Sequence, residues 1–388
     1  MLKRFLVIAA LATVAAFAVA ASAIARPAAQ AASAAGTSCK KGVSIGMLAP
    51  VTGPAGSIGS DQLHWAQFYF SQWNKNKKHV KIKLVQGDTQ LDPAKASTVG
   101  QSFASNKAIM GVIGPAGSDE VQAVMPILKK AGLAFASGSA TRVSLTDGKY
   151  KGFFFRDVPN DGVQGPTASA YMLSKLGVKS GDTVMVVDDQ ESYSTGLADI
   201  VGTSLTGKGV KVQRESVSQK ATDFASLVAK VTSSTKVVYL PFQLAAQAQL
   251  FAQQLKAQGK SAIVFGSDGT FDSAKFNVSG SYISFFAPDV TTLPAAASTV
   301  AAFQKQFPGA TSPFGAPNYV LAQAYAAAVT KACKDKKITR AELRGAFTKV
   351  KLGSTILGTP ISFTINGDIA GAQFHIFKIV NGKYETVQ

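Results

Sequence analysis

From Val43 onward the chain alternates short apolar runs with longer amphipathic stretches. Residues 43–48, 80–86, 108–113 and 133–136 read as strands of a parallel α/β lobe, of which the short apolar runs 108–113 and 133–136 read as buried strands. Between the last two, residues 119–131 carry apolar positions at helical spacing and read as the helix of a βαβ unit. A second alternating series follows, with strands expected at 183–187, 210–216, 236–240 and 262–265. Two such series predict an α/β fold of two Rossmann-like lobes with parallel-core sheets. Residues 153–162, between the series, are a plausible crossing, and a hinge there would let the lobes move.

Past Phe285-Phe286-Ala287-Pro288 the pattern turns helical again, over 299–307 and 319–334. Those helices could return to the first lobe. Two Asn-Gly dipeptides, Asn366-Gly367 and Asn381-Gly382, lie among the apolar runs 361–365, 374–380 and 383–387 and signal hairpins.

The N-terminus reads differently. Lys3 and Arg4 precede an apolar stretch over 5–25 that ends in Ala23-Ile24-Ala25, the pattern of a secretory signal peptide. Residues 26–42, rich in Ala, Ser and Gly, read as a flexible linker. About 345 residues remain, more than one core usually holds.

Charge and cysteine content then narrow the classes. The formal net charge is +18. Its lysines are scattered or in short runs such as 75–78 and 334–337, with no basic motif interleaved with aromatics, so nucleic acid is disfavoured as a partner. Anionic envelope polymers suit such a surface better. Cys39 and Cys333 are the only cysteines, and in an oxidising compartment they are available for one disulfide. A lipid on Cys39 competes, but Gly36-Thr37-Ser38 precedes it with no leucine. His64, His79 and His375 show no metal-ligand spacing, and neither a G-x-S-x-G elbow nor a Walker A loop occurs. No cofactor, metal site or catalytic set is expected; Asp188, Asp189, Glu191 and Asp268 are acids an enzyme could use, but acids after strands are more often loop caps.

Two loops carry the binding chemistry. Gly114-Pro115-Ala116-Gly117-Ser118 and Ser137-Gly138-Ser139-Ala140-Thr141 each follow a strand of the same βαβ unit. Right-handed crossover puts both on the carboxyl rim of the sheet, where open α/β sheets bind ligands. Ser118 is expected at the N-cap of its helix, where unpaired N–H groups and the dipole favour an anion such as a carboxylate. The second series offers Ser192-Tyr193, Phe242-Gln243 and Gly266-Ser267-Asp268-Gly269 on its own rim. If the rims close on each other, Asp268 could take an ammonium while Ser118 and Thr141 hold a carboxylate, which together describe an α-amino acid.

Val51-Thr52-Gly53-Pro54, Ile113-Gly114 before Ser118, Ser139-Ala140-Thr141, Gln164-Gly165-Pro166-Thr167, Ser192-Tyr193 and Gly266-Ser267-Asp268-Gly269, in this order, resemble the type I periplasmic solute-binding proteins of the leucine/isoleucine/valine-binding family. The resemblance runs from about Val43 to the C-terminus. It implies that Ser118 and Thr141 bind a carboxylate, that Ala140 is among the ligand-binding residues, that Ser139 offers its carbonyl to an ammonium, that Asp268 pairs with that ammonium and that Tyr193 closes over the ligand. It further implies a three-segment hinge, near 156–161, 286–290 and 359–363, with 43–157 and 289–360 as lobe 1 and 160–286 and 362–388 as lobe 2.

Departures bear on specificity. Ile58 and Gln243, the latter next to Phe242, stand where aromatics often line the pocket, Gly117 precedes the binding serine, and Leu91 and Gly117 occupy stretches that hold a cysteine pair in some relatives. Asp268 is one methylene shorter than the usual glutamate. The implied activity is extracytoplasmic capture of an amino acid, aliphatic by preference, for an ABC importer, by an exported monomer with permease subunits as partners. The alternatives are a ligand-sensing partner of a signalling receptor and a binder of another carboxylate or amide.

Overall fold

The computed structural model describes residues 36–309, 312–371 and 373–388. The chain enters through a two-residue strand, β1 (Thr37–Ser38), and then forms β2 (Val43–Ala49), α1 (Gly56–Trp73), β3 (Ile82–Asp88), α2 (Pro93–Ser105), β4 (Ile109–Ile113), α3 (Ser118–Lys130), β5 (Ala134–Ser137) and β6 (Phe154–Arg156). The five strands after β1 make one all-parallel sheet in the order β3-β2-β4-β5-β6. Every residue of β4 and β5 is buried, which is why these strands are apolar without alternation.

A second sheet begins after α4 (Asp161–Ser174) with β7 (Thr183–Asp188), α5 (Ser192–Thr206), β8 (Lys211–Ser216), α6 (Ala225–Ala229), β9 (Thr235–Leu240), α7 (Ala245–Ala257), β10 (Ile263–Gly266) and β11 (Tyr282–Phe285). The chain then returns to the first lobe as α8 (Ala297–Gln306), α9 (Gly315–Ala332), β12 (Lys337–Ile338), α10 (Arg340–Phe347), β13 (Lys351–Leu352) and β14 (Ile361–Ser362). It ends in a hairpin of β15 (His375–Val380) and β16 (Lys383–Thr386), which extends the second sheet to the order β16-β15-β11-β10-β9-β7-β8. Strands β8 to β11 and β7 pair in parallel, whereas β15 pairs antiparallel with β11 and with β16. Asn381 and Gly382 both have positive φ, 51° and 76°, as the tight turn of this hairpin requires.

Helix α9 is apolar on nearly all sides and is buried against α1 and the first sheet. It begins four residues earlier than its apolar pattern suggests, because Pro317 in the first turn has no intrahelical N–H to lose. The Tyr325 hydroxyl accepts the Val112 N–H at 3.2 Å and lies 3.0 Å from the Ala134 carbonyl, tying α9 to β4 and β5. No described helix is long and apolar enough to cross a membrane.

Two features differ from the sequence reading, and one reading lies outside the described residues. Residues 36–42 are not linker: Thr37–Ser38 pairs with Lys337–Ile338, and the buried Cys39 is disulfide-bonded to Cys333 across a Cα–Cα distance of 6.0 Å. The expected signal peptide at 1–25 and linker residues 26–35 lie outside the described residues. The third crossing is not at 359–363, because β14 pairs with β13 and the Asn366-Gly367 turn closes a bridge between Phe363 and Ile369 on the first lobe. The Arg156 N–H donates to the Gly367 carbonyl at 2.9 Å, so the chain reaches the second sheet only between residues 370 and 375 and residues 362–369 belong to lobe 1.

Candidate ligand-binding site

The two rim loops meet as the βαβ geometry requires. Ser137 Oγ at the end of β5 donates to the Pro115 carbonyl at 2.6 Å and accepts the Ala140 N–H at 3.0 Å. Ser139 Oγ donates to the Ala116 carbonyl at 2.9 Å and accepts from Gln62 Nε2 at 2.8 Å, which brings α1 into the same network. Ser118 Oγ accepts the Arg142 N–H at 3.2 Å. The N-cap of α3 is Gly117 rather than Ser118, and the Gly117 N–H donates to Glu120 Oε2 at 2.8 Å. Ser118 is thus the first helical residue, with its N–H among the unpaired donors of the helix start.

From the second lobe, Asp268 follows β10 and Tyr193 lies in the first turn of α5. The Tyr193 hydroxyl donates to Asp268 Oδ1 at 2.6 Å, and both side chains are buried. Burial pushes the Asp268 carboxyl up to about 6, against the lowering effect of the Tyr193 and Gln164 hydrogen bonds. Asp161, at the start of α4, is pushed up to about 8 by burial first and by the Asp268 charge second, while the Thr141 hydroxyl and Arg156 oppose the shift. Two buried carboxyls thus stand close together, and among the described residues no cation is bonded to either.

A cavity of about 40 Å³ lies between the loops and Asp268. Ser118, Ser139, Tyr193, Asp268, Ile58, Gly117 and Gln243 line it, joined by Leu91, Ala116, Gly269 and Phe314. Ala140 and Thr141 do not: the Ala140 N–H is held by Ser137 and its carbonyl accepts from the buried Arg156 at 3.1 Å, and Thr141 sits fully buried behind the loop. Phe242 also departs from expectation. Its ring is fully buried and stacks on Phe224 in the core of the second lobe, and only the neighbouring Gln243 faces the cavity. A larger groove of about 760 Å³ opens elsewhere between the lobes, beside Ser57, His64, Asp272 and Tyr384, and touches none of the rim loops.

The lobes are held against each other by direct bonds. Asp119 of α3 accepts the Ser192 N–H at 2.6 Å and Gln243 Nε2 at 2.9 Å. Ser57 of α1 donates to Asp272 Oδ2 at 3.1 Å and accepts from Lys275 Nζ at 2.9 Å. These contacts bring the lobes together across the cleft. Leu91 and Phe314, which line the cavity, and Asp119, which bridges the lobes, were not legible as such: two are apolar loop positions that could equally be core, and the third is an acid at a helix start, where acids are common.

Two α/β lobes with hydroxyl loops on one rim and buried acids on the other define a two-lobed binding protein that closes over a small polar molecule. The chain belongs to the type I periplasmic binding proteins: a family model described as Periplasmic binding protein matches residues 42–383. It is 27% identical over 350 residues to the Leu/Ile/Val-binding protein homolog 3 of Brucella melitensis, covering 88% of this chain and 92% of that protein. Among solved structures, the leucine-binding protein LivK of Thermotoga maritima superposes with a TM-score of 0.80 at 19% identity, covering 89% of this chain and 98% of the other. The branched-chain amino acid transporter substrate-binding protein LivJ of Streptococcus pneumoniae, in complex with isoleucine, gives 0.78 at 23% identity, with 89% and 99% covered. At such identities the structural likeness speaks for the fold.

Proposed function

We propose that this chain is the extracytoplasmic substrate-binding component of an ABC importer and that it captures an α-amino acid with an aliphatic side chain between its closing lobes. One observation carries the reading: Ser118 and Ser139 of lobe 1 and the Tyr193–Asp268 pair of lobe 2 line the same cavity between the lobes. Hydroxyls and the unpaired N–H groups at the start of α3 suit a carboxylate. Asp268, uncompensated by any cation in the cleft, suits an ammonium, which would favour its ionised form. Ile58, Leu91, Ala116 and Phe314 supply apolar wall for an aliphatic side chain. The names of the curated relatives, Leu/Ile/Val-binding proteins, agree with that choice.

The mechanism follows from the division of the site. A ligand first docks on the loops of lobe 1; closure then adds Asp268 and Tyr193, and the closed population rises by the differential affinity of the ligand for that form. A membrane permease reads the closed form. Export by the N-terminal segment and a monomeric state belong to the same proposal.

The test is titration calorimetry of the aliphatic amino acids against the wild type and Asp268→Ala. Removing the partner of a desolvated ammonium costs roughly 3 to 5 kcal/mol, so Kd is expected to rise by about two to three orders of magnitude. A rise below about threefold, under 1 kcal/mol, would remove Asp268 from the site. Binding of the matching carboxylic acids without the amine, at equal affinity, would move the protein to another ligand class.

A further inference from the structure

The positive charge of this protein is concentrated on one lobe. Residues 36–157 and 289–370 hold 24 Lys and Arg against 11 Asp and Glu, whereas 158–288 and 371–388 hold 13 against 11. Within the first lobe the excess is at the amino edge of the sheet. A parallel sheet gathers all its strand starts on one edge, and each loop there presents exposed lysine: Lys41 before β2, Lys78 before β3, Lys107 before β4, Lys130 before β5, Lys149 before β6 and Lys336 beside β1. None of these six is in an ion pair among the described residues. The acids beside them form no ion pair with these lysines among the described residues: Asp147 accepts the Lys149 N–H at 2.9 Å and Asp335 accepts the Lys337 N–H at 3.2 Å.

We propose that this amino edge of lobe 1 is a docking face for an anionic lipid surface. The chain itself says which polyanion it meets. Thr37 enters the folded unit on this edge, paired to Ile338, and only residues 26–36 separate it from the apolar stretch 5–25. Eleven residues span at most about 40 Å, so a bilayer that holds the apolar stretch, in transit or as an anchor, lies within reach of the lysines. Lysine suits the task, since a diffuse attraction to headgroups needs point charges on flexible stems rather than the bidentate geometry of arginine. Each cation near an anionic leaflet strengthens attachment by about fivefold, within a Debye length of about 8 Å at physiological salt. The ligand cavity is on the opposite, carboxyl rim of the sheet, so docking by this edge leaves the cleft free to open.

The experiment is co-sedimentation of residues 36–388, one compact unit with its own cores, with vesicles of phosphatidylcholine alone or mixed with phosphatidylglycerol. Binding is expected only to the mixed vesicles and is expected to be lost at about 1 M salt, where the Debye length shrinks to about 3 Å. Lys41→Glu, Lys78→Glu, Lys107→Glu and Lys130→Glu together should weaken it by at least about a hundredfold. Lys179→Glu, Lys208→Glu, Lys236→Glu and Lys256→Glu, exposed on the second lobe, change the net charge equally and should leave it within about threefold. Equal losses in both variants would reduce the effect to net charge and overturn the docking face. So would absence of vesicle binding, or retention by soluble polyphosphate without vesicle binding. An unchanged melting curve for both variants confirms that they fold.

Discussion

The Asp119 carboxylate in lobe 1 accepts the backbone N–H of Ser192, the first residue of α5 in lobe 2, at 2.6 Å. Its other oxygen accepts from Gln243 Nε2, also in lobe 2, at 2.9 Å. The first bond satisfies one of the orphan donors at a helix start and sets a negative charge against the positive end of its dipole. Both bonds bridge the two lobes, so part of the free energy that holds the lobes together comes from the protein itself and not from the ligand.

Asp119→Ala should therefore open the ligand-free protein without unfolding it, since the freed groups meet water. Charge-assisted bonds at a partly exposed site contribute about 1 to 2 kcal/mol, which predicts a Kd about 5 to 30 times higher. Small-angle scattering should show a larger radius of gyration without ligand and the wild-type value at saturation. An unchanged radius and Kd would mean that the contact does not hold the lobes.

The buried acids give stability a definite pH dependence. Glu120, raised to about 7 mainly by burial, and Asp161, raised to about 8, have folded values above those of the unfolded chain. The folded state then binds more protons than the unfolded one, and stability falls as pH rises through these values. His64 and His375, lowered by burial, act in the opposite sense only below their ordinary value of 6.5. The melting temperature of the ligand-free protein should accordingly fall between pH 6.5 and 8, and Asp161→Asn should flatten the slope. A flat or rising profile in the wild type would contradict the burial argument.

Arg156 joins the first crossing to the return segment. Fully buried, it donates to Asp368 at 2.7 Å and to the carbonyls of Ala140 and Arg142 at 3.1 and 2.7 Å. Removing it strands these acceptors, and Arg156→Ala should cost about 3 to 5 kcal/mol in denaturant unfolding. Arg156→Lys cannot reproduce the fork and should recover less than half of the loss. Full recovery would show that charge alone matters.

What the sequence made legible has a physical pattern. Strands β2, β4 and β5 were plain because burial on both faces demands continuous apolar runs. Ser118 and Ser139 could be placed together because a parallel topology sends both loops to the same rim, while Asp268 follows a strand of the other sheet and faces them from the second lobe. Phe242 and Gln243 show the limit: they are adjacent, opposite in direction, and equally credible on paper as pocket wall, yet only one faces the cavity. Asn366-Gly367 marked a turn correctly, but a turn signal does not say which strands pair, and β14 found β13 instead of β15.

The Cys39–Cys333 bond fastens the entering strand to the end of α9. Typical disulfides contribute about 2 to 4 kcal/mol, so Cys39→Ser with Cys333→Ser should lower the unfolding free energy by that amount in denaturant titration. Ligand affinity should stay within about threefold, because the bond joins elements on the amino edge, away from the rim. A stability change below about 0.5 kcal/mol would fall outside the usual disulfide range and show that β1 contributes little.

Gly117 leaves no room for a side chain beside the cavity. A Cβ at this position would lie 3.0 Å from Leu91 Cδ1 and 3.0 Å from Glu120 Oε2. The first contact pushes Leu91, a cavity wall, and the second disturbs the carboxylate that holds the Gly117 N–H. Overpacking of this kind costs about 1 to 3 kcal/mol, so Gly117→Ala should weaken ligand binding by about 5- to 150-fold. Leu91→Ala removes one of the two clashes. The double variant should then bind more tightly than the sum of the single effects predicts, by at least about 0.5 kcal/mol, in calorimetric titrations of all four proteins. Additive effects would mean that the two residues do not press on each other, and that the glycine is required by Glu120 alone.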